Sequence, residues 1–268
     1  MAGKKGYNKR SQKYFKKKSR KAPKVSKSVK LYVKKSIHSQ IENKRIQWSN
    51  SFAFGSNTTT YSTLSYLKLT PSTISYSMAQ GFGQADRVGN KCRVMKATFR
   101  YILLPISYDL IANPTPKPQH IQLLFGNIKG NQRSDPTAGT VNLLFQNGNI
   151  AAAPTGLLGD ALRPINNDLW QIKKRIQHKI GYAVSDGTGG NANSSFHSNN
   201  DFAYNVMRTI DLTPMFPKVI VYDENSLTPN TNALYLMLQS LNADNTSQLA
   251  DTAPCGITFW LDLVYEDA

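Results

Sequence analysis

Apolar and polar side chains alternate strictly through residues 95–101, MKATFRY, and this period of two limits the segment to a β-strand. Lys96, Thr98 and Arg100 point to one side. The side chains expected on the dry side are Met95, Ala97, Phe99, Tyr101 and Leu103. A strand with one dry and one wet face is typical of antiparallel sheets packed in pairs.

Seven other segments have a similar β texture, and stretches rich in Gly, Pro, Asn, Ser and Thr separate them. The predicted strands are 61–69, 91–105, 120–128, 169–183, 202–212, 218–222, 233–241 and 256–265. Eight strands in two sheets predict an all-β fold, a single eight-stranded jelly-roll sandwich. We assign residues 46–268 to this domain.

Almost all of the net charge lies in the first 45 residues, which carry 17 Lys and Arg against the single acidic residue Glu42. The remaining chain carries 16 basic and 15 acidic residues and is close to neutral. A block of like charge repels itself and cannot bury enough apolar surface to offset its ordering entropy. Residues 1–45 are therefore predicted to be a disordered basic arm that needs a partner with dense negative charge.

Single-stranded nucleic acid fits the arm better than a membrane does. Tyr7, Tyr14 and Phe15 lie among the basic residues, where rings can stack on bases while the cations follow phosphates. The sequence shows no apolar run of eighteen residues that could span a membrane, and position 2 is not the glycine that myristoylation requires. The residues expected to contact phosphate are Lys4, Lys5, Lys9, Arg10, Lys13, Lys16, Lys17, Lys18, Arg20 and Lys21.

The basic clusters also have the spacing of a bipartite nuclear localisation signal, from Lys4 and Lys5 to the run 16–18. A nuclear import receptor is therefore a second partner compatible with the first. Beyond these clusters, Val29, Val33, Ile37 and Ile41 recur every four residues behind Ser26. This spacing predicts a short amphipathic helix capped by the serine.

A second basic patch is predicted on the strand 169–183. There Lys173, Arg175 and Lys179 alternate with the apolar residues Trp170, Ile172, Ile176 and Ile180, which we place together on the opposite face. These three cations are candidate phosphate contacts. A solvated outer sheet face is the alternative interpretation of the same pattern.

No pattern in the chain indicates catalysis, a metal or a cofactor. Cys92 and Cys255 stand in separate apolar segments without metal-ligand spacing, and both are expected to be small buried residues. The segment 81–86, GFGQAD, lacks the third glycine of a dinucleotide-binding loop. We therefore expect a structural protein and not an enzyme.

Three segments, in this order behind the basic arm, resemble capsid proteins of circular Rep-encoding single-stranded DNA (CRESS) viruses. They are IENK at 41–44, RVGNK at 87–91 and LVYEDA at 263–268. The resemblance implies a jelly roll of two four-stranded sheets and an icosahedral T=1 shell of about sixty copies. It also implies a circular single-stranded DNA genome, a place in the virion and in the host nucleus during assembly, and a host-cell receptor.

Two other classes share some of these features. A satellite-type RNA virus coat protein also combines a jelly roll with a basic arm. A ribosomal or other cellular nucleic-acid-binding protein has a basic tail, but its folded part usually carries basic surface too. A near-neutral folded part suits a shell wall, because copies of the wall must pack against one another.

Overall fold

The structure is a computed structural model that describes residues 25–40, 43–55, 65–72, 75–81, 83, 85–106, 113–130, 143–182, 184–185, 196–197, 205–248 and 252–267. The chain divides into two units, Met1–Ile41 and Glu42–Ala268. Helix α1 (Lys27–Gln40) belongs to the first unit. Ser26 Oγ accepts the Val29 N–H at 3.3 Å, which confirms the predicted helix and its cap.

In the described residues of the second unit, β-strands are accompanied by a short 3-10 helix, Leu158–Ala161. The strands are β1 (Lys44–Phe54), β2 (Ser65–Lys68), β3 (Lys91–Pro105), β4 (Gln119–Ile128), β5 (Phe145–Asn147), β6 (Ile150–Ala152), β7 (Trp170–Ile180), β8 (Val184–Ser185), β9 (Phe196–His197), β10 (Val206–Asp211), β11 (Val219–Val221), β12 (Tyr235–Asn242) and β13 (Cys255–Asp267). No helix in the described part of the chain is long and apolar enough to cross a membrane.

Two antiparallel sheets form the body of this unit. The five-stranded sheet has the order β1-β13-β3-β10, and β11 also pairs with β3. The four-stranded sheet has the order β2-β12-β4-β7. Two short hairpins, β5–β6 and β8–β9, complete the strands. The predicted all-β sandwich is thereby confirmed at the level of packed antiparallel sheets.

The apolar core lies between the inner faces of the two sheets. Phe99 of β3 is fully buried there, with its ring 5.9 Å from that of Phe125 in β4 and 5.4 Å from that of Phe259 in β13. Both Cys92 and Cys255 are free and buried, as predicted. A second apolar cluster, which includes Trp170 and Phe145, covers part of the outer face of the four-stranded sheet.

Strand β1 was missed by the sequence analysis, and the predicted domain start at residue 46 falls inside it. Its apolar residues Ile46, Trp48, Phe52 and Phe54 do alternate with polar ones. Lys44 and Arg45 at its start had been counted with the basic arm. The predicted strand 91–105 agrees in both bounds with β3.

A β-bulge explains why Met95 is 42% exposed instead of buried as predicted. Lys96 pairs with Val264 and Val94 pairs with Tyr265, so Met95 is an extra residue between two consecutive partners. On both sides of this bulge, buried and exposed side chains alternate along β3. Ala97 to Leu103 follow the predicted faces, and Val94 is buried.

A second bulge overturns the predicted single apolar face of β7. Phe125 pairs with Lys174 and Gly126 pairs with Ile172, so Lys173 is the extra residue. Trp170 and Ile172 therefore pack on the outer face, whereas Ile176 and Ile180 pack in the core. At Gly126 a Cβ atom would lie 2.6 Å from the Gln171 carbonyl oxygen, so the close approach requires glycine.

The segment RVGNK has a structural role at one end of the sandwich. The Arg87 side chain is fully buried, and its guanidinium lies 4.4 Å from the centroid of the Tyr222 ring. It donates hydrogen bonds to the carbonyl oxygens of Gly89 and Ser226, each at 2.7 Å. Arg87 therefore holds the 87–90 turn against the 222–226 segment.

Candidate nucleic-acid interface

Strand pairing places a regular array of mostly polar side chains on the outer face of the five-stranded sheet. Each row runs across β1, β13, β3 and, in three cases, β10, because directly paired residues share a face. The rows are Ser51–Thr258–Ile102–Met207, Ser49–Trp260–Arg100–Thr209, Gln47–Asp262–Thr98–Asp211 and Arg45–Val264–Lys96. Arg45 of β1 and the cations Lys96 and Arg100 of β3 therefore lie on the same outer face, although the two strands are far apart in sequence.

Asp262 lies at the centre of a cluster formed with Arg45 and Arg100. The Arg45 Nε and Nη2 atoms donate to Asp262 Oδ1 at 2.9 and 2.7 Å. Arg100 Nη1 donates to Oδ2 at 2.8 Å, and Gln47 Nε2 donates to Oδ1 at the same distance. One carboxylate therefore orients two guanidinium groups.

The carboxylate is covered, whereas the two guanidinium groups remain accessible. The side chain of Asp262 is 8% exposed, that of Arg45 57% and that of Arg100 50%. Burial alone would raise the pKa of Asp262, but the hydrogen bonds from Arg45, Gln47 and Arg100 outweigh it and lower the pKa. Asp262 thus stays ionised and positions two arginines that keep donors free to reach a phosphate.

Lys96 adds a third cation beside this cluster. A groove of about 250 Å³ is lined by Lys96, Arg45, Arg100 and Asp262. Three positive charges against one negative charge leave a local excess of two. Arginines held in place by a carboxylate are a common way to present planar donors to phosphate.

The predicted contacts in the arm, from Lys4 to Lys21 with Tyr7, Tyr14 and Phe15, lie outside the described residues. Their role stays a prediction.

The residues of the predicted second patch lie in the described part of the chain. Their three cationic groups do not form one solvent-exposed surface. Lys173 donates to the Met215 carbonyl oxygen at 2.6 Å, and burial lowers the pKa of its ammonium group. Lys179 lies on the outer face of β7, opposite His120. Nucleic-acid binding by these residues also stays a prediction.

Arg175, the third member of that patch, anchors a loop. Its Nη2 donates to the Asp160 carbonyl oxygen at 2.8 Å, and its Nε donates to Gln122 Oε1 at 2.9 Å. The buried Asp160 carboxylate in turn accepts bonds from Thr155 N, Gly156 N and Gln239 Nε2, at 2.7 to 2.9 Å. The loop around residues 153–163 is therefore fixed to the outer face of the four-stranded sheet.

Sequence reasoning placed Lys96 and Arg100 on a wet strand face but missed Arg45, Trp260 and Asp262 as their neighbours. Recognising β1 from the alternation of its apolar residues would have supplied Arg45. The partnership of β1 with β13 is not readable from either strand alone. The described residues contain no cluster of His, Cys, Asp and Glu that could hold a metal ion.

Comparisons with known proteins leave the family of this chain open. No protein-family model matches it. No curated protein matches it. Among solved structures it is similar to the cryo-EM structure of Mud crab tombus-like virus, with 12% identity and a TM-score of 0.23 over 90% of this chain and 98% of that chain. A TM-score of this size does not establish a shared fold. The function is therefore inferred from the strand order, the charge distribution and the outer-face cluster of this chain.

Proposed function

We propose that this protein is a viral coat protein with a jelly-roll wall and a basic arm that packages single-stranded nucleic acid. The observation that carries the proposal is the nested pairing of its strands. Leaving the two hairpins and β11 aside, the first strand pairs with the last, β1 with β13. The second pairs with the last but one, β2 with β12, then β3 with β10 and β4 with β7. This nested pairing supports a jelly roll, because a long hairpin that rolls up into two sheets pairs its strands in the same order.

The distribution of charge supports the same proposal. The wall is near neutral, which allows copies of it to pack against one another, whereas the arm carries a net charge of +16 over residues 1–45. A shell of about sixty copies would bring close to a thousand positive charges to the enclosed genome. Binding of this kind is largely independent of sequence.

The finer parts of the proposal rest on the resemblance to CRESS virus capsid proteins. They are a T=1 shell, a circular single-stranded DNA genome, passage through the host nucleus and recognition of a host receptor. Catalysis has no place in this function. An RNA genome is the alternative, because the arm and the outer sheet face would bind either phosphate backbone.

The experiment compares the full chain with a shortened chain that begins at Val25. The cut removes eleven Lys and Arg but keeps α1 and every strand of the sandwich. We expect full-length protein to form uniform shells in negative-stain microscopy and to protect nucleic acid from nuclease. The shortened protein should keep its β-sheet circular dichroism and lose most of its binding. Its slope of log K against log salt should flatten by about 0.7 per lost phosphate contact.

A matched control replaces the same eleven residues by glutamine and keeps the length of the arm. It should behave like the shortened chain, because charge and not length is the proposed cause. Full-length protein that forms no shells with any single-stranded nucleic acid would overturn the proposed coat function. Unchanged affinity and salt slope after shortening would overturn the role of the arm.

A further inference from the structure

We propose that the groove beside Trp260 is a base-stacking subsite for an unpaired nucleobase of single-stranded nucleic acid. The inference deepens the proposed packaging function and rests on it. It assigns a ligand class to the outer face of the five-stranded sheet, apart from the arm. The groove encloses about 380 Å³ and is lined by Trp260, Ile102, Met207, Arg100 and Thr209 among others.

Trp260 is an unusual residue for its position. Its neighbours along β13, Phe259 and Leu261, are buried in the core, whereas Trp260 points outward with 44% of its surface exposed. Met207 beside the groove is 60% exposed. A broad apolar surface on an otherwise polar sheet face costs free energy in water, which is recovered when a flat partner covers it. An indole ring with this much exposed surface is suited to stacking.

A cation borders this apolar surface on the strand next to Trp260. Arg100 is its direct partner in β3, about 4.8 Å away in the hydrogen-bonding direction. A base stacked on the indole would place its own phosphate within reach of Arg100. An aromatic ring beside an arginine is the arrangement that binds single strands without reading their sequence.

The acidic groups on the same face already have partners. Asp262 accepts bonds from Arg45 and Arg100, as described above. Asp211 accepts from the backbone N–H of Thr213 at 2.9 Å and from its hydroxyl at 2.5 Å. The charge of Asp262 is therefore offset by two guanidinium groups, whereas Asp211 stays ionised with Lys96 near it. Beside the groove the cations outnumber the unpaired acidic groups, which complements a polyanion.

A second copy of the chain is the other occupant to consider. The cores of protein interfaces are depleted in charged residues, whereas Arg100 borders this groove on the side of β3. A nucleobase with its phosphate satisfies both the ring and the guanidinium group. A packed protein wall would have to bury that guanidinium group.

The test uses unassembled full-length protein and its tryptophan fluorescence. The chain has three tryptophans, and Trp170 is buried while Trp48 is stacked against Tyr76 at 5.1 Å. The titrants are oligothymidylate and an abasic deoxyribose-phosphate strand of equal length and charge. Salt is raised to about 0.3 M so that the arm contributes less. We expect quenching by oligothymidylate and little by the abasic strand, with affinities that differ roughly five- to fiftyfold.

Variants assign the effect to the groove. Binding to the variants is followed by the fluorescence anisotropy of dye-labelled strands, because these variants lack the reporter indole. Trp260→Leu should reduce the base preference to about twofold or less, whereas Trp260→Tyr should retain it within about threefold, because a phenol ring also stacks. Trp48→Phe is the matched control and should change neither quenching nor preference. Thermal melts confirm that each variant is folded.

Two results would overturn the subsite. One is an unchanged base preference in folded Trp260→Leu. The other is quenching of Trp260 on assembly in the absence of nucleic acid, which would assign the groove to a second copy. Shell formation is scored separately by microscopy, so failure of the coat proposal is distinguishable from failure of the subsite.

Discussion

Lys44 and Asp267 join the start of β1 to the end of β13, with 3.0 Å between Nζ and Oδ2. Lys44 Nζ also donates to the Asp86 carbonyl oxygen at 2.6 Å, and Asp267 accepts the Val88 N–H at 3.2 Å. The Lys44 side chain is only 8% exposed. This ion pair therefore fixes two strands and the 86–88 loop at one point.

Replacing Lys44 by methionine should lower the free energy of unfolding by about 2–4 kcal/mol, because Asp267 then lies largely buried without its cation. Urea unfolding of unassembled protein measures the change. Lys117→Met is the matched control, since the Lys117–Asp244 pair is more exposed and should contribute less than about 1 kcal/mol. Equal losses in both variants would show that burial of the first pair is unimportant.

Removing the charge of Asp160 should release the loop around residues 153–163. In Asp160→Asn the remaining oxygen can still accept from the Thr155 and Gly156 N–H groups, but the amide nitrogen then faces the Arg163 Nη1 donor, and the buried negative charge that pairs with Arg163 is lost. We expect a loss of about 2–4 kcal/mol and protease cleavage between residues 148 and 167. Asp168→Asn, an exposed change in the same segment, should have neither effect. Cleavage of both variants at the same rate would contradict this anchoring role.

Local periodicity predicted β3 in both bounds, because most of its faces are decided by its own residues, but it missed β1. The two bulges were not predictable, since the extra residues Met95 and Lys173 are defined only by the register of the partner strands. The same limit applies to the outer-face cluster. Asp262 is 217 residues from Arg45 and 162 from Arg100, so only the pairing of β13 with both neighbours brings them together.

Mild acid should destabilise the sandwich through His178 and His120. Burial and then the charge of Arg208 lower the pKa of His178, whose Nε2 lies 2.7 Å from the Tyr101 hydroxyl. Burial and then Lys179 lower the pKa of His120. As the pH falls, these histidines therefore bind protons in the unfolded chain before they do so in the folded chain. The free energy of unfolding decreases as the pH drops below about 6.5.

The measurement is the urea midpoint of unassembled protein at several pH values between 7.5 and 5, taken as a series for wild type and His178→Gln. The variant should show a shallower decline, because one of the two proton-binding differences is gone. A slope equal to that of wild type would remove His178 from the explanation.

Both thiols should be unreactive in the folded protein. Burial raises the pKa of Cys92 to about 12, with the nearby Asp267 adding to the shift, and burial raises that of Cys255 to about 12 as well. The reactive thiolate is then scarce at pH 8. Ellman's reagent should find two thiols only after unfolding, and dithiothreitol should leave the melting temperature unchanged. Rapid native labelling of one thiol would contradict its described burial.

Strand β13 lies between β1 and β3, although it follows every other strand of the sandwich in the chain. During translation the ribosome therefore releases the basic arm and β1 long before the strand that completes their sheet. Until then β1 has no partner in the five-stranded sheet, and a chain interrupted before residue 255 cannot close it. The order of synthesis would thus exclude unfinished chains from assembly.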